Sequence, residues 1–160
     1  MENKTEKIRD FLIQAHASRN TTPSERININ EYGVRTFKFE KDGFVFLDHH
    51  VSNGHIFGQE IVSEKRGELW VPVWTMIFQG TLVPEKKNEV FRFLQAVLQL
   101  VNFDTQSLPI RGPKEMIVSS WRYQNTCASK VLADFTGKEI ITFDNKEMYT
   151  STYSGKFMNV

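Results

Sequence analysis

Apolar residues recur at three- and four-residue spacing through Ile8, Phe11, Leu12 and Ala15, so the chain opens on an amphipathic helix over residues 4–17. Thr5 near the start and Asn20 after the end are its candidate caps. A polar stretch, residues 19–31, carries Pro23 and no periodicity, and residues 34–39 then open a run of β-prone side chains. Asp42-Gly43 separates that run from residues 44–47 and predicts a hairpin, because both central residues of a type I′ turn need positive φ. Asn53-Gly54 predicts a second one. A two-residue turn there sets Ser52 opposite His55, His50 opposite Phe57, Leu47 opposite Glu60 and Val45 opposite Val62. An irregular charged connection, residues 63–69, leads to a strand over 73–82 with Trp74, Met76 and Phe78 on one face. Pro84 precedes the widest helical stripe, made of Val90, Phe91, Leu94, Val97, Leu98 and Val101, with Glu85 and Glu89 near its start. Residues 103–114 read as a loop, and from Glu115 onward the pattern returns to strands with no further helix.

The late strands repeat an early pattern. The order Ile56, Gly58, Glu60, Val62 and then Trp74, Phe78, Gly80 recurs as Phe135, Gly137, Glu139, Ile141 and then Tyr149, Tyr153, Gly155. The aromatic–aromatic–Gly spacing of the closing strand is the same in both, and the first copy has four more residues in its connecting turn. Two copies, about 54–82 and 131–157, are too few for a solenoid and predict a pseudo-two-fold α+β domain. Its two repeated antiparallel β units are accompanied by an N-terminal helix and a packed central helix.

Length and composition narrow the setting. A chain of 160 residues has room for one shared core, so residues 1–160 are expected to form a single domain, rich in aromatics with 13 Phe. Its net charge of +1 and the lack of long one-sign runs give no footprint for direct nucleic-acid or anionic-lipid binding. The lone Cys127 forms no internal disulfide, and neither a secretory leader nor an apolar run of membrane-spanning length is present, so a cytoplasmic location is expected.

Beyond the repeat, Val73–Gly80 and the Leu-Pro-Ile-Arg-Gly-Pro run at Leu108–Pro113 complete a signature with Gly54–Val62 and Phe135–Gly155. Together they resemble a family of uncharacterised bacterial domains whose members often follow an Xre-type helix-turn-helix segment. The resemblance implies a regulatory context and no particular chemistry. This chain departs from the family in having no recognisable DNA-reading helix pair and a longer first connecting turn.

Strand alternation puts Glu60 and Glu139 on faces otherwise made of Ile, Val, Phe and Gly. Each carboxylate then needs a partner, because burying it alone costs several kcal/mol. One reading brings the two together in a pocket, where they act as acid and base or grip a cation. The plainer one makes them structural, bonded to Arg35, Arg111, Arg122 or a Tyr or Trp donor. Trp74, Phe78, Tyr149 and Tyr153 either form ordinary core over Gly58 and Gly137 or line a cleft between the β units. Arg111 is the candidate for an anion or glutamate contact. Asp48, His49, His50 and His55 sit near the Asn53-Gly54 turn, but adjacent histidines point to opposite faces of a strand, so a surface loop and no metal is expected. Cys127 reads as a small half-buried residue, and no phosphate-binding loop or nucleophile elbow is present.

The expected function is therefore a non-enzymatic regulatory module that binds a small ligand or protein partner in a cleft between the β units, without a cofactor. The alternative is an enzyme using Glu60 and Glu139 for acid–base chemistry. Composition and pattern leave ligand identity and oligomeric state open.

Overall fold

Tight turns join consecutive strands in each half of the chain, and the resulting hairpins lie edge to edge. The computed structural model describes residues 4–23, 26–99, 111–128 and 132–158. In chain order it contains α1 (Lys4–Thr21), β1 (Asn28–Ile29), β2 (Arg35–Lys41), β3 (Phe44–Ser52), β4 (His55–Arg66), β5 (Leu69–Leu82), α2 (Lys87–Gln99), β6 (Glu115–Val118), β7 (Trp121–Cys127), β8 (Asp134–Phe143) and β9 (Lys146–Phe157). A single 3-10 turn, Pro84–Lys86, leads into α2. The strands form one nine-stranded antiparallel sheet in the order β1-β2-β3-β4-β5-β9-β8-β7-β6, which with the two helices makes an α+β architecture. The first half of the chain builds inward to β5 and the second builds inward to β9, so these two strands meet in mid-sheet.

The first turn is as the sequence predicts, with positive φ at both Asp42 and Gly43. The second differs. Only Gly54 takes the left-handed conformation there, whereas a type I′ turn needs two such residues, and three residues separate the last facing pair, Ser52 and Ile56. The ladder is displaced by one position: His50 faces Gly58, Leu47 faces Ile61, and Glu60 faces Asp48 rather than Leu47. The expected irregular connection at 63–69 is instead strand. A register shift between Val62 and Ser63 lets β4 run on to Arg66 and β5 begin at Leu69, so the four extra residues lengthen the hairpin. The β8–β9 hairpin carries its own shift between Ile141 and Thr142.

Both helices lie against one sheet face. α1 packs on β2 and β3 through Ile8, Phe11, Leu12 and Ala15, with Phe11 set against the rings of Phe39 and Phe44. It runs four residues beyond the expected end at Ala17. Asn20 therefore lies inside the helix, where its side-chain amide donates to Leu98 O at 3.0 Å while Gln99 donates back to Asn20 O at 3.0 Å, fastening α1 to α2. α2 buries Val90, Leu94 and Val97 and half-buries Leu98, while Val101 and most of the predicted 103–114 loop lie outside the described residues. Leu94→Ala should cost about 2–5 kcal/mol in urea unfolding, and a loss below about 1 kcal/mol would mean that this face is not the packed one. Among the described residues no helix is long and apolar enough to cross a membrane.

Candidate functional site

Cross-strand pairing places the candidate residues in rows on the helix-covered face. One row runs His50, Gly58, Phe78, Tyr153, Gly137, Cys127, and the seam between β5 and β9 passes through its Phe78–Tyr153 pair. The two glycines are where they are because of those rings: a Cβ on Gly58 would overlap the Phe78 ring, and one on Gly137 the Tyr153 ring. The row on one side contains Asp48 and Glu60, and the row on the other contains Asn125 and Glu139. Both glutamates thus border the same aromatic pair.

Arg111 lies over that pair, its guanidinium carbon 4.4 Å from the Phe78 ring centre and 6.0 Å from that of Tyr153. The segment carrying it is laid along β7: the Asn125 side-chain amide donates to Gly112 O at 3.3 Å, the Asn125 backbone N–H donates to Lys114 O at 2.9 Å, and the Tyr123 ring abuts Gly112. From there Arg111 Nε donates to Glu139 Oε2 at 2.9 Å, and Nη1 stands 4.0 Å from Glu60 Oε1. Tyr123 Oη donates to the second oxygen of Glu139 at 2.8 Å, and His16 Nε2 lies 2.8 Å from Glu60 Oε2. Glu139 is 0% exposed and Glu60 7%. The cation held between the two glutamates is therefore a residue of the chain itself.

Electrostatics hold Arg111 charged and the neighbouring tyrosines neutral. Burial alone would push the Arg111 guanidinium down, but the negative charges facing it, Glu139 foremost, outweigh burial and hold it above its ordinary value. Burial, followed by the charge of Glu139, raises Tyr123 and Tyr149 well above the ordinary tyrosine value, and burial is also the largest cause for Tyr153. All three hydroxyls stay protonated near neutral pH and can donate. Tyr153 gives its proton to Asn125 Oδ1 at 2.7 Å. The Tyr149 hydroxyl has Arg111 and Ser151 as polar neighbours but no hydrogen bond of good geometry to either.

A second cluster adjoins the first. Asp48, 4% exposed, accepts from Arg19 Nε at 2.8 Å and from His50 Nδ1 at 3.0 Å. His49, on the opposite face as the alternation predicts, bonds to Thr36 instead. Asp48 and His50 thus belong to an inward-facing strand, not to the surface loop expected from the sequence. Burial raises the Asp48 carboxyl, but the hydrogen bond and charge of His50 and the charge of Arg19 outweigh it and bring it below the usual value. A lowered folded-state value means stability that is present above the unfolded value and is lost on acidification. Asp48→Asn should therefore flatten the fall in stability seen in unfolding titrations below about pH 4. An unchanged acid limb would remove Asp48 from the acid-sensitive groups.

Between the helices and the sheet lies a cavity of about 490 Å³. Glu60, Arg111, Phe78 and Tyr149 form part of its wall, and α1 adds His16 and Arg19. Trp74 takes no part in it: it is fully buried and stacks on Phe135 with centroids 6.1 Å apart. Tyr153 and Phe78 also border a hollow of about 620 Å³ toward the opposite sheet face, where Lys138 is the one charged side chain among the described residues. Among the described residues no group of three or more His, Cys, Asp and Glu is placed to hold a metal.

Residues 48–158 match the family of domains of unknown function designated DUF5680. The chain belongs to that family. No curated protein and no solved structure matches it. The DUF5680 span begins at Asp48 and takes in Glu60, Phe78, Arg111, Glu139, Tyr149 and Tyr153, whereas His16, Arg19 and Arg35 reach the cavity from the chain before it.

Several residues of the site carried no flag in the sequence. His16 and Arg19 continue the α1 stripe at four-residue steps from Leu12 and Ala15, and that continuation was the available signal. Tyr123 and Asn125 alternate with half-buried and exposed residues on β7 and were marked only by their period-two pattern.

Proposed function

We propose that the cavity binds a small molecule without chemically altering it, and that the two central hairpins are copies of one unit about a pseudo-two-fold axis passing between Phe78 and Tyr153. The observation that carries the binding reading is the 490 Å³ cavity, in which apolar side chains from α2 face the Glu60–Arg111 wall. Mixed lining of this kind, apolar with a few fixed polar groups, is what small-molecule sites present. The pairing of Phe78 with Tyr153 supports the two-fold, as do the glycines beneath both rings and the register shift two residues after each glutamate. Binding of this type would suit a sensing role in the regulatory context that the sequence resemblance implies. Acid–base catalysis by the paired glutamates has less support, because both oxygens of Glu139 are already occupied by Arg111 and Tyr123.

A thermal-shift screen over metabolites tests the binding reading. A ligand at a hundred times its Kd should add about 2.7 kcal/mol of stability. Gln95 is exposed yet lines the cavity, so Gln95→Trp should intrude on the space without opening the core, and true hits should lose their shift in that variant. Hits that stabilise both proteins equally would place binding elsewhere.

A further inference from the structure

The charges lining the cavity are unevenly matched, and the mismatch specifies a ligand class. Arg19, Arg35, Lys87 and Arg111 line it against two carboxylates, Asp48 and Glu60. Both carboxylates are engaged, Asp48 by Arg19 and His50, and Glu60 by His16 with Arg111 beyond. Arg111 is further committed to Glu139. Arg35 and Lys87 remain, half-buried and without a carboxylate partner among the described residues; Lys87 has only the Phe91 ring, 6.0 Å away. The ladder sets Arg35 beside His50, and Lys87 opens α2, so the two cations enter the cavity wall from different elements.

An independent observation points to a missing polar partner. The Tyr149 hydroxyl belongs to a side chain 1% exposed that borders the cavity, and its polar neighbours, Arg111 and Ser151, give it no hydrogen bond of good geometry. Buried hydroxyls are rarely left unpaired, because the desolvation cost of about 1–3 kcal/mol is then uncompensated. Ile27, Ile56, Phe91 and Leu94 supply apolar lining. Among the described residues an amine would meet no uncommitted acceptor in these charged groups, whereas an anion meets two uncommitted cations and a donor.

Resting on the reading of the cavity as a binding site, we propose that its ligand is a small organic anion with an apolar body, its charge offset by Arg35 and Lys87 and an oxygen accepting from Tyr149. The two cations contribute charge and the Tyr149 hydroxyl contributes direction. The β4 and α2 side chains hold the apolar body.

A matched pair of fluorescent probes tests this on the full chain: 1-anilinonaphthalene-8-sulfonate and its uncharged parent, N-phenyl-1-naphthylamine. Both should bind, and Gln95→Trp should weaken both, which locates them in the cavity. The double variant Arg35→Gln/Lys87→Gln should weaken the sulfonate about tenfold and change the uncharged probe by less than about twofold. The uncharged probe also reports whether the double variant keeps its fold; where it does not, Lys87→Gln alone should weaken the sulfonate selectively and Lys87→Arg should restore it. Equal weakening of both probes, or a sulfonate affinity indifferent to the cations, overturns the anion assignment and leaves the cavity reading standing. If the uncharged probe alone binds in a manner sensitive to Gln95→Trp, the anion assignment falls and the cavity reading stands; if neither does, both fall.

Discussion

Glu139→Gln should destabilise the protein by about 3–5 kcal/mol, measured by urea unfolding followed through tryptophan fluorescence. The side chain is fully buried, and its two oxygens accept from different donors, Arg111 Nε and Tyr123 Oη. An amide retains one acceptor and turns a donor toward the other partner, so whichever way it flips, one buried donor faces an N–H₂ group. The guanidinium meanwhile loses its closest counter-charge and, among the described residues, keeps Glu60 at 4.0 Å. Glu60→Gln should cost less. That carboxylate borders the cavity and its nearest partner is a histidine, so an amide oxygen can still accept from His16. Equal losses for the two variants would contradict the asymmetric placement of Arg111 between them.

What could be read in the sequence was what depends on short-range periodicity. Alternation along β4 and β8 put Glu60 and Glu139 on apolar faces, and both prove to be buried. The three- and four-residue steps of α2 identified Val90, Leu94 and Val97 as its packed side. Conformation at single turn residues was less accessible. Asn53-Gly54 has the composition of a two-residue turn, yet Asn53 keeps negative φ, and that one torsion moved the partner of Glu60 from Leu47 to Asp48. Charged residues misled where they belong to long strands: Glu64, Lys65 and Arg66 look like a connection because the part of the hairpin past the register shift is largely exposed.

The site was hardest to read where it joins segments far apart in the chain. Periodicity does not say that His16 meets Glu60 or Arg19 meets Asp48, which are separated by 44 and 29 positions. These contacts exist because α1 lies on β2 and β3, and helix placement follows from packing rather than from local pattern. Arg111 was identifiable as a candidate from its place in the Leu108–Pro113 run, but its position over Phe78 and Tyr153 depends on Asn125 holding Gly112.

Arg111→Met carries the other large expected effect, a loss of about 3–5 kcal/mol, because it leaves two buried carboxylates without their shared cation. Methionine retains an unbranched side chain of similar course, so the loss is dominated by the charge and by the guanidinium's contact with the Phe78 ring. The double variant Arg111→Met/Glu139→Gln then separates charge pairing from fold collapse. Once the cation is gone, neutralising Glu139 removes the most deeply buried uncompensated charge, so the second substitution should cost about 1–3 kcal/mol less than it does alone. Urea unfolding of the wild type, both single variants and the double variant should give a coupling of about 1–3 kcal/mol between these positions. Strict additivity would show that Arg111 and Glu139 contribute independently, and the central cation would then be an element of packing rather than the counter-charge that makes two buried glutamates tolerable at the seam.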